Sequence, residues 1–326
     1  MTTPSPITPG LVAIIITSYN RSHYLRQALE SVLAQTYTNY HIIIVDDASS
    51  DNSATVARDY QARYPEQITA LCKETRLGLV DSVNQAFAHC HNAAYIAFHP
   101  DDDLWRPDKL EKQIVYFTQH PQVGIVCSNA LLIDATGQPT GQSFAERSGS
   151  FDDQNITRRI FLSANFICAA SVVVSHEALA YLGFRIPLPF HFMNDEYMWM
   201  VMSSAFAVHC IEEPLTRYRL SSGSVSATYL SRIHQEEWEI RFFAYERWPH
   251  VRRLITTQEV EDQLLIRAYQ AAAAAFRARR WRAYRWFVRR AWQFRPRPAT
   301  ARLMMAATLS AVAPQLVATI RKWRRS

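Results

Sequence analysis

Glycine is scarce in this chain, 8 of 326 residues, which excludes fibrous and low-complexity architectures. The five cysteines, Cys72, Cys90, Cys127, Cys168 and Cys210, include no CxxC pair and are odd in number and widely spaced. Neither a metal knuckle nor a disulfide framework is expected, and a reducing compartment fits. Met1 to Gly10 is uncharged and Pro/Thr-rich, without the basic start and apolar stretch of a signal peptide. Acidic residues are missing from the C-terminal stretch: Arg267 to Ser326 holds 15 Arg and Lys and no Asp or Glu. The first 262 residues hold the other 20 basic residues and all 29 acidic ones, a net of −9. An acidic body with a basic tail points to an anionic partner for the tail, nucleic acid or a membrane surface.

What is present reads as ordinary globular protein, 48% hydrophobic and 20% charged, enough for one large domain with an appendage. Val12 to Thr17, His41 to Val45, Ile68 to Cys72, Tyr95 to Phe98 and Val123 to Cys127 are apolar runs suited to strands buried on both faces. Between them lie helical patterns. Ser22 is a candidate cap for a helix with Leu25, Ala28, Leu29, Val32 and Leu33 on one face. Further helices are expected from Asp51 or Ser53 to Arg63, from Leu79 to His89, and from Pro107 to about Gln119. The alternation implies βαβ units and an α/β fold with a single, mostly parallel sheet flanked by helices. Asp134 to Asn155, rich in Gly, Ser, Thr and Asp, reads as a long loop. Ser171 to Val174 and Phe206 to Ile211 read as further strands. From Tyr229 onward the pattern is helical, broken at Pro296, Pro298 and Pro314. The expected division is an α/β domain over 1–228 and a helical, basic region over 229–326.

In such sheets ligands sit at the carboxyl ends of the strands. Thr17-Ser18-Tyr19-Asn20, Asp46-Asp47 and Asp101-Asp102-Asp103 all follow strands, so three strand ends bring polar chemistry to one edge. Adjacent carboxylates repel, and hard oxygen ligands at a strand end suit Mg²⁺ or Mn²⁺ held together with substrate phosphates. The triplet alone is equally compatible with a solvated acidic turn. A carboxylate of the Asp46-Asp47 pair can accept from a base N–H or hold a ribose hydroxyl, whereas Asp51 and Ser50 read as helix caps.

Together these pieces resemble a family. The segment IIITSYNRSHYLRQALESVLAQTYTNYHIIIVDDASSDNS resembles the start of the inverting family-two glycosyltransferases of the glycosyltransferase-A fold. GLVDSVNQAF, YIAFHPDDDLWRPDKLEKQI, FHFMNDEYMWM and YRLSSGSVS follow in the family's order, so the resemblance covers about Leu11 to Ser226. It implies that Thr17, Tyr19 and Asn20 line the nucleotide pocket, that Asp46 or Asp47 contacts a uracil-type base, and that Asp101 takes the ribose contact. It puts Asp102, with Asp103, at the metal (Mn²⁺ or Mg²⁺), and makes Asp195 the catalytic base. Three positions depart from the family pattern: Pro100 stands at the first Asp of the usual D-x-D, Asn194 where a Glu is usual, and Ser221 where many members have His.

The implied chemistry needs these residue types. A divalent ion offsets charge growing on the leaving diphosphate, and one carboxylate takes the acceptor's proton. A single base opposite the leaving group implies displacement with inversion. Arg76, Arg217 and Arg219 are candidate phosphate contacts or plain surface arginines, and Trp105 reads as core. The donor implied is a nucleotide-diphosphate sugar of UDP or dTDP type, and the acceptor a glycan or lipid-linked molecule in surface polysaccharide or glycoconjugate synthesis.

The run Arg277 to Arg290 interleaves arginines with aromatics, compatible with nucleic acid, with anionic lipid, or with a solvated helix. Leu303 to Ile320 is apolar but short for a span and contains Pro314. With the family resemblance the expectation is a cytoplasmic protein, peripheral on the inner face of the cell membrane, without a nucleic-acid partner. Two other readings stay open. One is a nucleotidyltransferase, disfavoured by the lack of glycine in Thr17 to Asn20. The other is a non-catalytic, membrane-associated nucleotide-sugar-binding protein, hinted at by Pro100 and Asn194.

Overall fold

β-branched residues crowd the first strand. β1 (Thr8–Ser18) buries Val12 through Ile16 almost completely, as a central strand covered on both faces must. The computed structural model describes residues 6–149, 151, 155–163, 165–187, 190, 194–220, 230–277 and 279–294. Ser221, the prolines at 296, 298 and 314, the apolar stretch 303–320 and the boundary at 228/229 lie outside the described residues.

The chain divides into two compact units, Met1–Ser221 and Ser222–Ser326. In the first, the remaining strands are β2 (Tyr40–Asp46), β3 (Ile68–Cys72), β4 (Ala93–Phe98), β5 (Leu104–Trp105), β6 (Val123–Ile133), β7 (Pro139–Ser143), β8 (Val173–Ser175) and β9 (Ala207–Arg219). They form one sheet in the order β3-β2-β1-β4-β8-β6-β9-β5, with β7 on β6. The helices are α1 (Ser22–Leu33), α2 (Ser53–Arg63), α3 (Leu79–Phe87), α4 (Lys109–Gln119), α5 (Phe144–Ser148), α6 (Ile156–Leu162), α7 (His176–Leu182) and α8 (Asn194–Ser203).

The expected parallel arrangement holds in the first half of the sheet, β3-β2-β1-β4. Beyond β4 the sheet is mixed: β8 runs antiparallel to both β4 and β6, β5 is antiparallel to β9, and β6 and β9 are parallel. Three local expectations change. Ser22 is the first residue of α1 rather than its cap, and its N–H donates to Asp51 Oδ2 in the neighbouring turn. Pro107 precedes α4, whose flanking residue is Asp108. The stretch from Asp134 is ordered as a hairpin, β6–β7, and then as α5, whose capping box joins Ser143 and Glu146.

The second unit contains α9 (Leu230–Arg247), α10 (Pro249–Leu254), α11 (Thr257–Arg277) and α12 (Trp281–Phe294). Trp238, Ile240, Leu264, Ala268 and Phe287 are buried within it, and Arg267 pairs with Glu237 at 3.2 Å. Phe287 lies inside while Trp281, Arg282, Arg285 and Arg289 are exposed, so α12 turns a basic face outward. Among the described residues no helix is long and apolar enough to cross a membrane.

Candidate active site

β2, β1 and β4 are parallel neighbours, so the residues leaving their carboxyl ends gather at one edge. The turns after β1 and β2 are bonded to each other. Asn20 N–H donates to Ser49 Oγ at 2.9 Å, Ser50 N–H donates to Asn20 Oδ1 at 2.7 Å, and Arg21 N–H donates to Ser53 Oγ at 3.1 Å. Asn20 and Ala48 both take left-handed backbone, φ 53° and 58°, which turns the two loops toward each other. The Asn20 side chain thus holds the loops together, while Thr17, opposite Val45 in the ladder, and Tyr19 are partly exposed. The Arg76 guanidinium stacks 3.8 Å from the centre of the Tyr19 ring, a cation–π contact that joins the loop after β3 to the loop after β1.

The acid pair divides its work. Asp46 Oδ2 accepts from Ser49 N–H at 3.0 Å, and its Oδ1 is buried without a hydrogen-bond partner among the described residues. Asp47 accepts from Leu77 N–H at 3.0 Å, from Gly78 N–H at 2.8 Å and from Lys73 Nζ at 3.0 Å. Lys73 also pairs with Asp81 at 2.8 Å. Asp47 therefore anchors the loop that carries Arg76 over Tyr19.

The triplet after β4 is three different environments. Asp101 is buried; its Oδ2 accepts from Ser18 Oγ at 2.7 Å and its Oδ1 from Arg21 at 3.3 Å. Burial, then the charge of Asp102, push its pKa up to about 7. Asp102 is the least buried of the three, and its Oδ2 accepts from Arg21 Nη1 at 2.5 Å. Asp103 is 1% exposed. Its Oδ1 accepts from Arg219 N–H at 2.8 Å, its Oδ2 is buried without a hydrogen-bond partner among the described residues, and burial first, then Asp102, raise its pKa well above the usual value. Asp103 thus joins the end of β9 to the triplet, and Asp102 is the carboxylate open to an incoming group.

Asp195 lies in the first turn of α8. Its Oδ2 accepts from Asn165 Nδ2 at 2.8 Å, and burial pushes its pKa up to about 6 against the lowering effect of helix N–H groups and Asn165. A carboxylate with a pKa near neutrality is suited to accept a proton. Its neighbour Glu196 is fully buried, so the two adjacent acids do not share an exposure. The Tyr218 phenol is raised by burial and then by charges that include Asp103, Asp102 and Asp195. One side chain therefore lies within electrostatic reach of the triplet and of Asp195.

Of the arginines read as phosphate contacts, Arg219 is structural. It is 3% exposed, and its guanidinium donates to the Asp102 carbonyl at 2.7 Å, the Ala135 carbonyl at 3.1 Å and Gln27 Oε1 at 2.9 Å. Arg217 is exposed and lines a groove of about 510 Å³ with Arg26, Gln27, Glu30 and Arg106. Trp105 is core, as expected: it is 5% exposed, donates from Nε1 to the Ala170 carbonyl at 2.7 Å and stacks on His99. Arg21, Asn165 and Tyr218 were not singled out from sequence. Arg21 adjoins residues that were; Asn165 and Tyr218 carry no local signal.

The family model described as glycosyl transferase family 2 matches residues 13–183. EpsE of Bacillus subtilis (strain 168) is 34% identical over 126 residues, 39% of this chain and 45% of EpsE, so the chain spans less than half of that relative. The UDP-Glc:alpha-D-GlcNAc-diphosphoundecaprenol beta-1,3-glucosyltransferase WfgD of Escherichia coli is 28% identical over 233 residues, 71% of this chain and 85% of WfgD. Among solved structures, TarS 1–349 of S. aureus in complex with UDP superimposes with a TM-score of 0.60 at 12% identity, covering 95% of this chain and 91% of that one.

Proposed function

The chain belongs to glycosyl transferase family 2, and from that premise we infer that it moves a sugar from a UDP- or dTDP-type donor onto a glycan or lipid-linked acceptor with inversion. The observation that carries the reading is the meeting, at one sheet edge, of the Tyr19–Arg76 stack, the Asp46–Asp47 pair and the Asp101–Asp103 triplet. Asp195 lies close enough to bear on the same phenol as two acids of the triplet.

Tyr19 and Arg76 flank the nucleotide, Thr17 and Asn20 shape its loop, and one acid of the Asp46–Asp47 pair reads the base. Asp101, held by Ser18, faces the ribose. Asp102 fits a divalent ion: it is a hard oxygen donor, partly open, beside an acid whose buried carboxylate already serves the fold. Asp102 would hold Mn²⁺ or Mg²⁺ beside the donor phosphates, where the ion would supply positive charge against that growing on the leaving diphosphate. Asp195 takes the acceptor proton, with Asn165 fixing its orientation. The name of WfgD gives it a diphosphoundecaprenol-linked acceptor, which supports a lipid-linked acceptor here. The basic outer face of α12 and the arginines beyond it suit the anionic inner face of a cell membrane. The catalytic unit is taken as 1–228 and the membrane-facing unit as 229–326.

A thermal-shift screen of nucleoside diphosphates with Mn²⁺ tests the donor reading. UDP and dTDP should raise the Tm more than ADP or CDP do. No stabilisation by any nucleoside diphosphate overturns it.

A further inference from the structure

Three adjacent carboxylates at a strand end need a counter-charge, and the fold supplies one. Arg21 leaves the turn after β1 with its backbone fixed: its own N–H donates to Ser53 Oγ and the next N–H donates to Asp51. From there its guanidinium crosses to the turn after β4 and pairs with Asp102 at 2.5 Å and Asp101 at 3.3 Å. The other oxygen of Asp101 accepts from Ser18, so Asp101 is held on both sides. Among the described residues the Asp102 side chain has no such second anchor. The Arg21 and Asp102 side chains are 24% and 13% exposed, so the pair opens to solvent where a ligand would approach.

A guanidinium and a divalent ion on the same carboxylate oxygen compete for one position, and like charges side by side repel. A diphosphate offers the guanidinium another partner with matching two-pronged geometry. We propose that Arg21 is a resident counter-ion that a divalent cation displaces from Asp102, and that the donor diphosphate draws it away. Metal and nucleotide then bind as a coupled pair. This rests on Asp102 as the metal-bearing acid, as inferred above. Coupling between two ligands is reciprocal, so whatever UDP adds to metal affinity the metal adds to UDP affinity.

The test titrates Mn²⁺ into the full chain and follows free Mn²⁺ by electron paramagnetic resonance, with and without UDP. Wild type should bind Mn²⁺ weakly alone and much more tightly with UDP. Arg21→Gln should bind Mn²⁺ alone on the order of tenfold tighter than wild type, because no resident cation is displaced. The factor by which UDP tightens Mn²⁺ should shrink in that variant. Arg21→Lys, which keeps the charge and guards against a folding artefact, should stay near wild type. Circular dichroism should give the same helix content for all three. Arg21→Gln binding Mn²⁺ alone no more tightly than wild type, while UDP still tightens Mn²⁺ equally in both, overturns this inference and leaves the metal reading standing. Mn²⁺ bound by neither protein, with or without UDP, overturns the metal reading and this inference together.

Discussion

Asp195→Asn separates chemistry from binding at one atom. The substitution keeps the volume and keeps an oxygen to accept from Asn165, but removes the proton acceptor. Transfer should fall by a factor on the order of a hundred or more, with donor affinity nearly unchanged. The raised pKa adds two pH signatures. Asp195 must be ionised to act, so kcat/KM of the wild type should fall on the acid side with an apparent pKa of about 6. For stability the folded pKa lies above the unfolded value of 3.8, so the native chain binds this proton more tightly. That contribution is fully present below the unfolded pKa and is lost as pH rises through about 6. Asp195→Asn should therefore match wild type near pH 4 and be more stable at pH 7.5, by on the order of 1–2 kcal/mol once solvent screening of a partly exposed acid is allowed for. Urea unfolding at several pH values reads this, and initial-rate assays read the transfer. Near-normal transfer refutes the base assignment. A stability difference that does not change with pH refutes the electrostatic reasoning.

Asp103 should behave as a structural acid: Asp103→Ala leaves the buried Arg219 N–H without an acceptor and should cost about 1–3 kcal/mol in urea unfolding, while Asp103→Asn keeps an acceptor and costs much less. Equal loss of Mn²⁺ binding in both, with stability intact, would return it to the metal. Ala48 holds φ 58°, so Ala48→Gly should raise stability by about 0.5–1 kcal/mol, and a lowered Tm would show the loop to be unstrained. The exposed arginines of α12 should each add about 1 kcal/mol on an anionic surface, so the Arg282→Gln, Arg285→Gln, Arg289→Gln triple variant should lose roughly a hundredfold in binding to phosphatidylserine vesicles. Unchanged vesicle binding would remove α12 from the membrane reading.

The nucleotide half of the fold was legible because its strands are covered on both faces. Continuous runs such as Ile42–Val45 leave no other place to sit, and the polar residues that end them mark the site edge. Past Val123 the pattern weakens for physical reasons. β9 continues through Glu212, Glu213 and Pro214, where a sequence reading stops at Ile211, because register shifts beside Ser128 and Asn129 let β6 follow it to Arg219. β7 and α5 are held by a hairpin turn and a capping box rather than by apolar periodicity. At the site, the acids were legible as types at strand ends, but their division of labour was not. Nothing local says that Asp103 faces Arg219, 116 residues away, or that Arg21 pairs with acids 80 and 81 residues on. Arg219 read as a phosphate contact or a plain surface arginine, yet its partners are Gln27, Asp102 and Ala135, far apart in sequence and brought together only by the fold.

The most direct test is release of UDP from a panel of UDP-sugars by the full chain, with Mn²⁺ or with chelator, in wild type and in Asp102→Asn. At least one donor should be turned over by wild type with Mn²⁺, activity should vanish with chelator, and Asp102→Asn should stay inactive at any Mn²⁺ concentration. Turnover that persists in chelator, or that Asp102→Asn retains undiminished, would contradict the metal reading.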